Sequence, residues 1–385
     1  MNLNIDRDYL IKTLSNLIGI NSINPQLVPE GRGEAEIAAY IAETLRRLTL
    51  DVTAHEPELG RVSVVGRLQG KGGGRSLMLN GHIDTVGVEG MPEPFFAAIR
   101  NGRMYGRGAY DMKGSIAACM TAMKALVEAK ASCNGEVLLA AVADEEYFSL
   151  GTADLVSRYK VDGAIVTEAT EMNLCRAHKG FVWLEVETFG HAAHGSRFDE
   201  GIDANMMMGR FLAELDKLEK ELRARPPHPL VGPPSLHAAL INGGSGLSTY
   251  AANCKLKIER RTVPGETAAQ VMGELKKIIG QLSAADSTFK ATVNAFCARH
   301  PFEVAENAEI VRVVEKAATR VRGISPRHIG QTFWMDSALL AAAGVETVVI
   351  GPIGAGAHAD EEWVDLQSLV DLAQILAETA LAYCK

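Results

Sequence analysis

The chain has cysteines but no cysteine pattern. Its six, at positions 119, 133, 175, 254, 297 and 384, show neither a C-x-x-C pair nor regular spacing. That argues against a thiolate zinc cluster and a disulfide framework, and predicts free thiols in a reducing compartment. The opening residues, Met1 to Asp8, lack a basic patch followed by an apolar stretch, so no secretory leader is expected and a cytoplasmic location is. Long apolar runs are missing too: the stretch from Ala338 to Ile350 is too short to span a bilayer and is interrupted by Glu346. Nor is there a block of one charge. The 39 Lys and Arg against 47 Asp and Glu leave a formal charge of -8 with both signs interspersed, which excludes broad electrostatic capture of nucleic acid or an anionic membrane. Small solutes and metal ions are the expected partners.

Two common catalytic signatures are absent. The segment Gly354-Ala-Gly-Ala-His-Ala359 fits G-x-G-x-x-A, but the acids Asp360, Glu361 and Glu362 that follow it would repel a pyrophosphate. The nearest text to a serine nucleophile elbow, Asn242-Gly-Gly-Ser-Gly-Leu247, fails that pattern.

At 385 residues the chain has room for two domains. Up to about residue 177, short apolar runs alternate with helix-length periodic stretches, the pattern of a mixed, mostly parallel sheet covered by helices on both faces. The clearest strands are 77–80, 137–143 and 164–167, and 115–130 reads as a crossover helix with Ile116, Cys119, Met120, Met123 and Val127 on its buried face. From Phe181 the strands alternate apolar and polar, as in a sheet covered on one face. A helix from about Asp203, strands near 235–242 and 253–262, a second helix carrying Val271, Leu275 and Ile278, and a strand over 289–296 give the order β-α-β-β-α-β of a ferredoxin-like unit. The first pattern then returns, with a helix near 307–321 and a buried strand over 346–350. The expected division is a metal-binding domain of residues 1–177 and 298–385 with residues 178–297 inserted into it.

The ionisable residues mark the chemistry, because they fall just past the carboxyl ends of buried strands, the edge where open α/β sheets form sites. His82 and Asp84 follow the first strand, Asp144, Glu145 and Glu146 the second, Glu168 the third, and His358 the strand near the end. Asp111 lies at the turn into the crossover helix. Two imidazoles and three carboxylates suit zinc first, with cobalt or manganese as alternatives, and are too few for two closed sites unless one carboxylate is shared. Asp111 is the natural bridge: one ion to His82, Glu168 and Asp111, the other to His358, Glu146 and Asp111. Glu145 is then the expected general base, and Asp84 the acceptor of the second ring N–H of His82.

The motifs Gly81-His-Ile-Asp-Thr-Val86, Tyr105-Gly-Arg-Gly-Ala-Tyr-Asp-Met-Lys-Gly114, Asp144-Glu-Glu146, Gly190-His-Ala-Ala-His-Gly-Ser196 and Ala357-His-Ala-Asp-Glu-Glu-Trp-Val364 resemble, nearly end to end, those of the metallohydrolase family of acetylornithine deacetylase, succinyl-diaminopimelate desuccinylase, aminoacylase and carboxypeptidase G. The resemblance implies the same five ligands and base, a zinc-peptidase-like catalytic domain, and an inserted lid that also forms a homodimer. It implies two roles that the strand-end reading does not reach: His194 as the stabiliser of the oxyanion, and Arg261 as the holder of a substrate carboxylate. The expected substrate is an N-acyl amino acid. A di- or tripeptidase or carboxypeptidase on the same framework is the alternative, and a catalytically silent binding module the alternative of another kind. The lid stretch Ser248-Thr-Tyr-Ala251 departs from the family pattern, which leaves the substrate side chain open.

Overall fold

The structure is a computed structural model that describes residues 3–131 and 133–385. The chain divides into two compact units, one of residues up to Arg176 with Val304–Ile329 and Met335–Lys385, the other of Ala177–Glu303 with Gly330–Trp334.

The first unit is built on strands Leu77–His82, Val137–Val142, Gly163–Val166 and Glu346–Val349, which pair in parallel. The first three are buried at every position and the last at all but Glu346, as strands covered on both faces must be. The outer pairings are antiparallel: Arg61–Leu68 lies beside Val137–Val142 and is followed at the edge by Asp51–Glu58, while Val349 meets Cys175 on the other side. The helix after Asp111 runs Lys113–Glu128 and buries nearly every side chain, not a single stripe. It packs against helices Arg7–Gly19 and Leu366–Tyr383 as well as the sheet, and Ala117, Ala118, Ala122 and Ala125 keep it slim enough for that position.

A small antiparallel sheet in the same unit has no counterpart in the sequence reading. It joins Gly354–Ala355, Trp363–Asp365, Arg103–Tyr105 and Ala98–Arg100 in that order. Its pairing of Trp363 with Tyr105 brings the loop holding His358 alongside the loop holding Asp111. The Arg103 guanidinium lies over the Trp363 ring, 3.7 Å from its centroid.

The second unit is a four-stranded antiparallel sheet in the order Ser235–Gly243, Asn253–Thr262, Gly180–Phe189, Ala291–Arg299. Helices Ala204–Ala224 and Ala268–Ala285 cover one face. Asp203 caps the first through the backbone N–H groups of Asn205 and Met206, and Thr267 with Gln270 forms a capping box on the second. Val182, Leu184, Val186, Leu256 and Ile258 point from the strands into a core shared with Phe211, Leu215, Val271 and Leu275.

Phe211 is wholly buried in that core. Phe211→Ala should therefore destabilise the protein by about 3–5 kcal/mol, the usual cost of deleting a buried aromatic ring, seen as a lowered midpoint in urea denaturation followed by circular dichroism.

Candidate metal centre

The sheet and its loops bring the five expected ligands of the first unit to one place. His82 is the last residue of its strand and is buried. Its Nε2 lies 3.0 Å from Asp111 Oδ1 and 3.5 Å from Glu168 Oε1. On the other side of Asp111, His358 Nε2 lies 3.3 Å from Oδ2 and 3.0 Å from Glu146 Oε2. Each imidazole thus faces a different oxygen of one carboxylate. Glu145 also gathers here, its carboxylate close to both His82 and Glu168.

The carboxylates crowd one another in a poorly solvated space. Burial pushes Glu145 well above the usual carboxylate range, and Glu168, Asp336 and Glu146 add to the shift against the pull of His82. Burial and the neighbouring Asp111 raise Glu146 to about 7, and burial raises Glu168 to about 8 against the attraction of His82. Hydrogen bonds to Asp111 and Glu146 raise His358 to about 10. Glu146 Oε1 is buried without a hydrogen-bond partner. An acid-rich cluster of imidazole and carboxylate donors with an orphaned buried oxygen fits divalent cations of the borderline-hard kind. Two overlapping groups in it, His82 with Glu145 and Glu168, and His82 with Asp111 and Glu146, have donor atoms close enough to hold an ion.

Two further carboxylates hold backbone rather than face the cluster. The expected bond from His82 to the Asp84 side chain goes elsewhere: Nδ1 donates to the Asp84 backbone carbonyl at 3.0 Å, with the carboxylate Oδ1 at 3.6 Å. That carboxylate accepts instead from the N–H groups of Glu145 (3.1 Å) and Glu146 (3.2 Å) and from Asn24 Nδ2 (2.8 Å). The fully buried Asp84 would be raised by burial alone, but the nearby His82 ring and its charge, with the bond from Asn24, bring it below the usual range. Glu362 does the same for the Asp111 loop, accepting from the N–H groups of Gly108 (2.9 Å), Tyr110 (2.8 Å) and Asp111 (2.9 Å) and from Arg107 Nη1 (2.8 Å). Gly108 sits at a φ of 81°, where an added Cβ would come 2.8 Å from the Lys113 side chain. Sequence reasoning passed over Glu362, although it lies within the same short motif as His358. It also missed Asp336, a buried acid raised to about 6 by burial against hydrogen bonds from Thr152 and Ser149.

His194 and Arg261 belong to the second unit. His194 is exposed, its Nδ1 2.8 Å from Ser196 Oγ. Arg261 pairs with Glu259 at 2.7 Å and lies over the Phe181 ring. The neighbouring Arg260 points the other way, is buried, and binds Glu266 and Glu274.

Comparison with known proteins places this arrangement among enzymes. The profile of Peptidase family M20/M25/M40 matches residues 78–382. The N-formyl-4-amino-5-aminomethyl-2-methylpyrimidine deformylase of Bacillus subtilis is 27% identical over 92% of this chain and 91% of its own. The acetylornithine deacetylase of Myxococcus xanthus is 28% identical over 97% of each. Among solved structures, a tripeptidase from Staphylococcus aureus superposes with a TM-score of 0.79 at 19% identity, covering 99% of both chains. A dinuclear metal-binding peptidase of Bacillus subtilis superposes with a TM-score of 0.76 at 15% identity, covering 98% of both.

Arg107 and Glu362 are both buried and bound to each other. Glu362→Ala leaves that guanidinium uncompensated, so it should cost about 3–5 kcal/mol of stability, measured as a shift of the guanidinium chloride unfolding midpoint.

Proposed function

The chain belongs to peptidase family M20/M25/M40 and is a metal-dependent hydrolase of amide bonds; from that premise we propose that it is a two-metal deacylase of N-acyl amino acids. The observation that carries the reading is the placing of His82 and His358 against opposite oxygens of Asp111, which supports one carboxylate shared between two cations. His82, Glu168 and Asp111 would hold one ion, and His358, Glu146 and Asp111 the other, zinc first and cobalt or manganese as alternatives.

When bound, such ions acidify a water and polarise the scissile carbonyl. The rest falls to the protein. Glu145 takes the proton of the attacking water and passes it to the leaving amine, a task suited to a carboxyl held above its ordinary range by burial. Asp84 fixes the backbone of Glu145 and Glu146 through their N–H groups. Two roles in the second unit rest on the motifs alone: His194 stabilises the oxyanion, and Arg261 binds the substrate carboxylate with its two-pronged donor geometry. Among the described residues no helix is long and apolar enough to cross a membrane, and the cysteines are free thiols. A cytoplasmic location and a homodimer are part of the proposal, the homodimer resting on the motifs alone.

The test is a hydrolysis panel of N-acetylornithine, N-succinyl-diaminopimelate, N-acetylmethionine and several dipeptides, with added zinc or cobalt. Cleavage of N-acyl amino acids supports the deacylase, and cleavage of dipeptides alone would move the assignment to a peptidase or carboxypeptidase. Bound metal with no cleavage of any compound would favour a silent binding module.

Glu145→Gln should lower kcat by at least about 100-fold, the lower end of what a general base contributes, with metal content by mass spectrometry unchanged; substantial residual activity would remove Glu145 from the role. His194→Ala should lower kcat by about 100- to 1000-fold with little change in KM, and an effect confined to KM would contradict the oxyanion role.

A further inference from the structure

Behind the Glu145–Glu146 loop lies a buried ionic network of which the mechanism above uses only Asp84. Its centre is Asn24, in Asn21-Ser-Ile-Asn-Pro25. Pro25 biases the residue before it toward extended backbone, and the segment pairs with the strand end next to Asp84: Asn24 N–H donates to Thr85 O at 2.8 Å, and Thr85 N–H to Ser22 O at 3.0 Å. The Asn24 side chain is thereby delivered between two wholly buried carboxylates. Its Nδ2 donates to Asp84 Oδ2 at 2.8 Å and to Asp144 Oδ1 at 3.0 Å, using both hydrogens of the amide, while its Oδ1 accepts from Gln26 N–H at 3.0 Å.

Arg61 completes the network. Its guanidinium binds Glu34 through Nε at 2.9 Å and through Nη2 at 2.6 Å, and the same Nη2 reaches Asp144 Oδ1 at 2.7 Å. Arg61, Glu34 and Asp144 are all buried. Asp144 stands at a φ of 69°, a left-handed conformation that Asp tolerates better than most non-glycine residues. Its carboxylate is fastened by Asn24 and Arg61 on one oxygen and by the Leu150 N–H at 3.4 Å on the other. The next two residues are Glu145 and Glu146, whose N–H groups are fastened to Asp84. Asn24 therefore ties together the two anchors of the loop, one before Glu145 and one beneath it.

We propose that Asn24 is a positioning residue for catalysis: by donating to Asp84 and Asp144 at once, it fixes the backbone that aims Glu145 and Glu146. The inference rests on the roles given to those two residues under the proposed function. Arg61, itself held by Glu34, supports it by compensating the charge of Asp144, without which a second buried carboxylate next to Asp84 would be strongly disfavoured.

Asn24→Asp tests it with almost no change in shape, because it replaces the amide nitrogen by oxygen and removes both donors. The variant is assayed with zinc present on the best substrate of the panel, its circular dichroism is recorded at the assay temperature, and its zinc affinity is measured by competition with a chromophoric chelator. Loss of a partner that orients metal ligands costs about 10–100-fold in activity or affinity. The expected result is a kcat lowered by about that factor, a KM within about threefold of the parent, and weaker binding of the less tightly held zinc equivalent, in a protein with native circular dichroism. If Asn24→Asp does not fold, Asn24→Ser removes the twofold donation without adding a carboxylate and carries the same prediction. A folded variant with unchanged kcat and zinc affinity, altered only in thermal stability, would overturn the proposal. Glu145→Gln run in parallel separates the two levels: if it is inactive while Asn24→Asp is unimpaired, only the positioning role falls, whereas if it remains active the reading of the site falls first.

Discussion

Buried negative charge is the constraint that organises the first unit. Asp84, Asp111, Asp144, Glu145, Glu146 and Glu168 converge at the carboxyl edge of the parallel strands with two imidazoles among them. Taking such charges out of water costs several kcal/mol each unless they are paired or fully hydrogen-bonded. The surrounding structure meets that cost in two ways. Carboxylates at the periphery, Asp84, Asp144 and Glu362, are satisfied by backbone N–H groups, Asn24, Arg61 and Arg107. Those at the centre are satisfied only in part: Glu146 keeps an orphaned oxygen, and Glu145, Glu146 and Glu168 are held well above their ordinary range. The residual demand for positive charge is the physical content of the proposed two-metal site.

The same constraint explains the rigid framing of the loops. Asp111 reaches both imidazoles because its loop is hung on the Glu362 carboxylate, and Glu362 is placed by the short pairing of Trp363 with Tyr105. Glu145 and Glu146 follow Asp144, which stands in the left-handed region, and hang on Asp84. In both cases a carboxylate that faces away from the cluster fixes the backbone of one that faces it. Side chains held in this way lose little freedom when a ligand arrives, which favours tight binding and a preorganised reaction geometry.

Much of this was legible in the sequence where a short-range signal exists. The buried strands at 77, 137, 163 and 346 announced themselves as apolar runs, and the ionisable residues at their ends pointed to the site edge. The β-α-β-β-α-β order of the second unit followed from alternation and helical stripes such as Phe211, Leu215 and Leu222. Other features carried no such signal. Strands of two or three residues, such as Gly354–Ala355, are too short for a period to emerge. The helix Lys113–Glu128 is buried on all sides, so the stripe read on it was only part of its apolar surface. Asn24, Glu34 and Arg61 are ordinary polar residues in sequence, and their meaning lies in partners 27 to 120 positions away. The His82–Asp84 spacing suggested a side-chain bond, but the extended backbone presents the Asp84 carbonyl to the ring and frees the carboxylate for the Glu145–Glu146 loop.

The most direct test of the account is metal stoichiometry linked to activity. The protein is stripped with a chelator, titrated with zinc, and followed both by inductively coupled plasma mass spectrometry and by hydrolysis of an N-acyl amino acid. The account predicts no activity in the stripped protein, binding of two zinc ions per chain, and recovery of hydrolysis as they bind. A stripped protein that still hydrolyses its substrate, or a folded protein that binds no zinc, cobalt or manganese, would contradict it.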